Sequence, residues 1–210
     1  TYFLKNFTRK TVINENPSFE APKIGRSWTL RHQNQVPGWK TTASDGKIEI
    51  WTSGFLGVKA FDGNQLVELN ANMVGHLYQD IDTEGTEELL VEFSHHGRTG
   101  PEQMSLKFGP PAGPYKTVGT YTSSPDHWTT HEKIINIPAG QKETRIFFAS
   151  EHNASPASGN LLDAIKYTAV KANQESIVII VRHPLKANSP MSASVFDDGN
   201  GIADSLVIEF

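Results

Sequence analysis

Between Lys47 and Arg98 apolar and polar residues alternate with a period of two through four short runs, Ile48–Trp51, Gln65–Asn70, Gly75–Ile81 and Leu89–His95. That period places successive side chains on opposite faces of a pleated strand, and it does not fit the 3.6-residue repeat of a helix. Leu66, Glu68 and Asn70 share one face, and Val67 and Leu69 the other. Val91, Phe93 and His95 likewise oppose Glu92, Ser94 and His96. The more polar faces carry Glu49, Trp51, Glu68, Asn70, Tyr78, His96 and Arg98. This is more chemistry than an inert solvent face requires, and the expectation is a binding surface.

The same alternation extends to Met104–Phe108, Lys116–Tyr121, Thr129–Ile137, Thr144–Ser150 and Leu161–Val170. Thr1–Val12 reads as a strand or an arm, and Asn14–Pro22 as an edge strand interrupted by Pro17. Ile24–Lys40 reads as a long loop, and Ser53–Asn64, rich in Gly and aromatics, as a surface loop. No stretch sustains a helical period for three turns. The fold expected is all-β, a sandwich or jelly roll built of short strands punctuated by turns. Texture changes after residue 170: Ser176–Val181 is a continuous apolar run, and residues 192–210 read as a hairpin across an acidic, Gly-rich turn. The expected division is a main domain over 1–170, with 171–210 as additional strands or the start of a further domain.

Composition narrows the function classes. A net charge of −4 with no basic run argues against nucleic acid, and the absence of an apolar run of membrane-spanning length argues against insertion as a helix. With no Cys, disulfides and thiolate metal sites are excluded; this fits a reducing cytosol and many secreted bacterial proteins alike. A chain opening at Thr1 reads as a processed or excised piece. There is no G-x-S-x-G, no phosphate-cradling Gly loop and no spacing of His127 or His131 with the His95-His96 pair that suits zinc. The chain is therefore expected not to be an enzyme. The one catalytic rival is a hydrolase or lyase using acids such as Glu49 and Glu68.

A series of motifs adds to this reading: NPSFE (Asn16–Glu20), VPGW (Val36–Trp39), IEIW (Ile48–Trp51), FDGNQLVELNAN (Phe61–Asn72), LYQDI (Leu77–Ile81), FSHHGR (Phe93–Arg98), IPAGQ (Ile137–Gln141) and GNLLDAIKY (Gly159–Tyr167). Over about residues 13–170 this series resembles the galactose-binding-like β-sandwich domains of secreted bacterial proteins and surface adhesins, which are akin to carbohydrate-binding modules and plant cell-wall domains. The resemblance implies a jelly-roll sandwich with a structural Ca²⁺ held by Glu20 and Asp163, with Asp62 or Asn64 in addition; Ala164 stands where such domains often carry a second acid. The run Asp197–Asp204 resembles the calcium loops of thrombospondin-like repeats and offers Asp198, Asn200 and Asp204 as ligands. Its Asp-Gly and Asn-Gly pairs are equally the vocabulary of a hairpin turn. For the ligand, a sugar needs aromatic rings beneath its C–H faces and planar polar groups for its hydroxyls. Glu49, Trp51, Glu68, Asn70, Tyr78, His96, Arg98 and Trp128 are the candidates. The expectation is a non-catalytic, calcium-stabilised carbohydrate-binding or adhesion module of an extracellular, cell-surface bacterial protein. It would bind glycan and adjoin neighbouring domains of a larger chain. The alternative is a structural spacer or assembly domain.

Overall fold

Strands that are apolar on one face need a second layer to cover that face, and here two antiparallel sheets cover each other. The structure, a computed structural model, describes residues 2–12, 14–152, 159–179, 192–197 and 203–209, with side chains described over 14–150 and 159–169. In chain order the strands are β1 (Tyr2–Val12), β2 (Trp28–His32), β3 (Lys40–Thr41), β4 (Lys47–Thr52), β5 (Gln65–Glu68), β6 (His76–Asp82) and β7 (Glu88–Gly97). They continue as β8 (Glu102–Gly109), β9 (Lys116–Ser123), β10 (Thr129–Asn136), β11 (Glu143–His152), β12 (Asn160–Ile179), β13 (Ser192–Asp197) and β14 (Ala203–Glu209). A seven-stranded sheet runs β10-β7-β12-β5-β4-β2, with β1 also on β12, and a five-stranded sheet runs β3-β6-β11-β8-β9. The expected all-β jelly-roll sandwich is what forms, and β13 and β14 pair as the expected hairpin.

The core lies between the sheets. Ile48, Ile50, Val67, Leu69, Val91 and Phe93 point inward from one sheet, and Leu77, Ile81, Met104, Leu106, Ile146 and Phe148 from the other. Trp39 is fully buried there, with its ring 4.8 Å from Phe19 and 6.1 Å from Phe148. The outward residues of every strand thus form two outer faces, and these are where a site can lie.

Three expectations change. Asn14–Pro22 is not an edge strand: it turns, with Asn16 and Phe19 both at φ 56. Its polar groups are satisfied locally, the Asn16 amide bonding both backbone groups of Ala21 while Trp39 Nε1 donates to Asn16 O at 2.9 Å. The supposed loop Ile24–Lys40 contains β2, which pairs β4 from Trp28↔Trp51 to His32↔Lys47. Lastly, β12 continues through residue 170 to Ile179, because β1 pairs it from Val12↔Tyr167 out to Tyr2↔Ile179.

Candidate functional site

On the outer face of the seven-stranded sheet the register brings together most of the expected binding residues. Glu49 on β4 lies directly opposite Glu68 on β5. Trp51 Nε1 donates to Glu49 Oε1 at 2.7 Å. Arg98 Nη1 donates to both oxygens of Glu68 at 3.0 and 3.2 Å, and Gly159 N donates to Glu68 Oε1 at 2.9 Å. The Arg98 guanidinium also stands 5.1 Å from the centre of the Trp51 ring. Burial, then the neighbouring Glu49, push the Glu68 carboxyl up to about 8 against the pull of Arg98. Burial also raises Glu49, opposed by its bond from Trp51 and the charge of Arg98. Burial thus favours the protonated form of both carboxyls, while Arg98 favours the ionised form.

This cluster is not an open surface. Trp51, Glu68 and Asn70 have no solvent exposure, and Glu49 and His96 are buried. The loop 53–64 folds back over the strands, setting Phe55 edge-on to Trp51 at 4.8 Å. Trp128 Nε1 fastens that loop by donating to Lys59 O at 2.8 Å, and His96 packs 5.1 Å from the Trp128 ring. Trp51, Leu66 and Leu161 so become a small second core beneath Phe55, Val58, Ala60 and Trp128. A face expected to hold a ligand is covered by the chain itself. His95 points the other way, its Nε2 2.7 Å from Asn160 Oδ1, and burial lowers it to about 4.

Tyr78 is on the other sheet altogether. On the outer face of the five-stranded sheet it stands opposite Phe147, and Asp80 stands opposite Arg145. Arg145 Nε and Nη2 donate to the two oxygens of Asp80 at 2.6 and 2.7 Å, a two-pronged pair that fixes the guanidinium flat. Its centre lies 4.2 Å from that of the Tyr78 ring. Phe147 is 5.1 Å from Tyr78, 4.7 Å from Tyr115 and 6.3 Å from His76. Tyr115, 40% exposed, comes from the Pro-rich loop after β8 and is anchored by its hydroxyl donating to Pro111 O. Sequence reasoning missed Arg145, Phe147, Asp80 and Tyr115. Their signal was the alternation of RIFF, where Arg145 and Phe147 oppose Ile146 and Phe148.

The residues expected to hold calcium meet at one turn. Glu20 Oε1 accepts from Asn64 N at 2.6 Å and Gln65 N at 2.7 Å. Asp163 Oδ2 accepts from Phe61 N at 2.8 Å and Asp62 N at 3.0 Å, and its Oδ1 accepts from Ala164 N at 2.7 Å. Asp62 Oδ2 accepts from the Ser18 hydroxyl at 2.7 Å. Calcium wants six to eight oxygens, yet N–H donors crowd these carboxylates, and among the described residues no three His, Asp or Glu side chains converge. As arranged, these carboxylates grip the turn directly. Burial raises Asp163 to about 7 in spite of its three N–H donors. Asp198 and Asn200 lie outside the described residues, and Asp204 lies on β14.

No protein-family model matches the sequence, and no curated protein matches it. Among solved structures, the chain is similar in fold to carbohydrate-binding modules. The CBM22-1–CBM22-2 tandem domain from Paenibacillus barcinonensis Xyn10C is 13% identical over 80% of this chain and 48% of that one, with a TM-score of 0.49. The CBM22-1 xylan-binding domain of the same protein is 12% identical over 71% and 100%, with a TM-score of 0.45. The N-terminal cellulose-binding domain of Cellulomonas fimi β-1,4-glucanase C is 15% identical over 71% and 97%, with a TM-score of 0.41.

Proposed function

We propose that this chain is a non-catalytic glycan-binding module of an extracellular protein, and that it binds on the outer face of the five-stranded sheet. One observation carries the reading: Tyr78 and the 40% exposed Tyr115 flank the buried Phe147 ring on an outer face, with the planar Arg145–Asp80 pair locked against Tyr78. Aromatic rings that take C–H faces and planar polar groups that take hydroxyls are the two halves of a sugar site, and here both are fixed before any ligand arrives. The acid pair that a hydrolase would need, Glu49 and Glu68, is instead buried beneath the 53–64 loop, which favours binding without turnover.

Calorimetric titration against a panel of soluble polysaccharides tests this. Tyr115→Ala is expected to weaken the binding glycan about tenfold or more, since an exposed aromatic anchor commonly carries that much. The melting temperature should scarcely change, because Tyr115 lies outside both cores. No heat with any glycan, or an unchanged affinity in Tyr115→Ala, would remove this face from consideration. The spacer reading has one observation in its favour: β2 ends the seven-stranded sheet, and Trp28 on it is 44% exposed. An unpaired edge strand is where another chain could add.

A further inference from the structure

β2 ends the seven-stranded sheet, with β4 on one side and, among the described residues, no strand on the other. Ser27 O accepts from Thr52 N at 2.9 Å, and Gln33 N donates to Gly46 O at 2.8 Å. Backbone groups address alternate sides along a strand. Ser27, Thr29, Arg31 and Gln33 therefore bond toward β4, and Trp28, Leu30 and His32 address the open edge. The His32 N–H is taken by Gln35 Oε1 at 3.2 Å. The N–H and C=O groups of Trp28 and Leu30 have no partner among the described residues.

The side chains of this edge divide by face. Trp28 and Leu30 pair Trp51 and Glu49 and share the outer face, where Trp28 is 44% exposed. Thr29 and Arg31 pair Ile50 and Ile48 of the core and share the inner face. Arg31 Nε is shut off from solvent with no acceptor. Neither Arg31 nor Arg26 joins an ion pair among the described residues. Residues 21–39 carry Lys23, Arg26 and Arg31 and no acid, in a chain whose net charge is −4. The acids around this stretch are engaged elsewhere. Glu20 Oε1 accepts from Asn64 N and Gln65 N, Asp45 Oδ1 from Lys47 N at 3.0 Å, and Glu49 Oε1 from Trp51 Nε1.

These observations select an occupant. Open N–H and C=O groups on a strand edge are satisfied by a second extended backbone. Along that backbone, one face of side chains would meet Trp28 and Leu30, and the other would meet Arg31, whose guanidinium pairs best with a carboxylate. A second copy of β2 fits poorly, because it would bring Arg26 and Arg31 against their own like charges. We infer that the β2 edge docks an acidic extended segment of a partner polypeptide, which adds to the sheet as a further strand and sets a carboxylate on Arg31. This edge belongs to the sheet opposite the Tyr78–Tyr115 face, so the inference stands apart from the glycan-binding reading.

The test is calorimetric titration of the full chain with short capped peptides. One alternates valine with glutamate; two others carry glutamine or lysine in place of glutamate; the last is the glutamate peptide N-methylated along its backbone. The glutamate peptide should bind at least about tenfold more tightly than the glutamine one, and more weakly as salt rises. The lysine and N-methylated peptides should not bind. Arg31→Gln should abolish the preference for glutamate over glutamine, a ratio that can be read even in a less stable variant. Leu30→Pro removes an outward N–H without touching the β4 ladder, so it should keep its melting temperature and lose the peptide. Equal binding of glutamate and glutamine peptides, binding that survives N-methylation, or binding intact in Leu30→Pro overturns the inference. So does binding of no peptide, which would leave Arg31 as a charge that only guards the edge. Polygalacturonate bound as tightly as the peptide, with the same dependence on Arg31, overturns it as attraction of any polyanion. Dimerisation of the chain alone in sedimentation, lost in Leu30→Pro, overturns it in favour of a second copy.

Discussion

Glu68 sits without solvent exposure on a central strand, opposite a second buried acid and against a single arginine. Such a group is tolerated because the Arg98 guanidinium faces it and because burial favours its protonated form. The pH dependence follows with a definite sign. Glu68 titrates near 8 in the folded chain and near 4.5 unfolded, so its contribution is fully present below about 4.5 and is lost as pH rises through 8. Asp163, at about 7 against 3.8, acts in the same sense. His95, held at about 4 against 6.5, acts oppositely and costs stability as pH falls below 6.5. In mild acid His95 cancels only one of the two carboxyl contributions, so stability already falls with rising pH from about 4.5, and between pH 6.5 and 8 nothing among these three groups opposes the fall. Glu68→Gln, a neutral copy of the protonated acid, should make the melting temperature markedly less sensitive to pH across that window; an equally steep fall in the variant would refute the raised Glu68 carboxyl. Arg98→Ala should act the other way. It leaves the acid pair without its cation and should cost about 3 kcal/mol at pH 8, and less at pH 5, where a proton takes the place of the arginine. Chemical denaturation at the two pH values reads the difference.

At the scale of elements, the turn 61–65 and the loop before it decide what the seven-stranded sheet can do. Four backbone N–H groups of that turn are held by two carboxylates more than a hundred residues apart in sequence, Glu20 and Asp163. Because those oxygens are already engaged, melting in excess Ca²⁺ and in chelator should give the same midpoint. Asp163→Ala, by contrast, should cost about 1–3 kcal/mol by stranding buried donors. A calcium-dependent midpoint would return Glu20 and Asp163 to the role of metal ligands. The alternation in IEIW and QLVELN was enough to assign both faces of β4 and β5, and Glu49, Trp51 and Glu68 do share one. Alternation cannot say which of two faces another segment will cover. The loop 53–64 reads as surface in sequence, and so it is, but its underside carries Phe55 and Val58 onto Trp51. β2 escaped notice for a related reason: WTLRH is only five residues and lies among Gly, Pro and Asn, and what makes it a strand is the free edge of β4. The site on β6 and β11 was hidden differently. Tyr78 was visible, but Arg145 and Phe147 lie more than sixty residues away, and only pairing in register makes them one face.

For the molecule as a whole, the two sheets close on a core whose strands come from both halves of the chain, and this fixes where a cut can be tolerated. The change of texture near residue 170 suggested a boundary there, yet residue 170 falls inside β12, whose later part pairs β1. The two terminal segments of the sandwich are thus bound to each other: Tyr2–Lys5 with Ser176–Ile179, and Phe7–Val12 with Tyr167–Ala172. Ending the chain at residue 170 would leave Tyr2–Thr8 without that backbone partner, while the β7–β12 ladder, which ends at Val170↔Glu88, would survive intact. A chain of residues 1–170 should therefore still melt cooperatively but several degrees lower than one of residues 1–182, because a ladder of this length contributes backbone pairing that a small domain cannot spare. Removing Tyr2–Thr8 from the 1–170 chain should then change little, since the partner of that segment is already gone. If 1–170 melted at the same temperature as 1–182, the part of the β1–β12 ribbon beyond residue 170 would contribute nothing to the fold. The sandwich would then owe its stability entirely to the core around Trp39, Phe93 and Phe148.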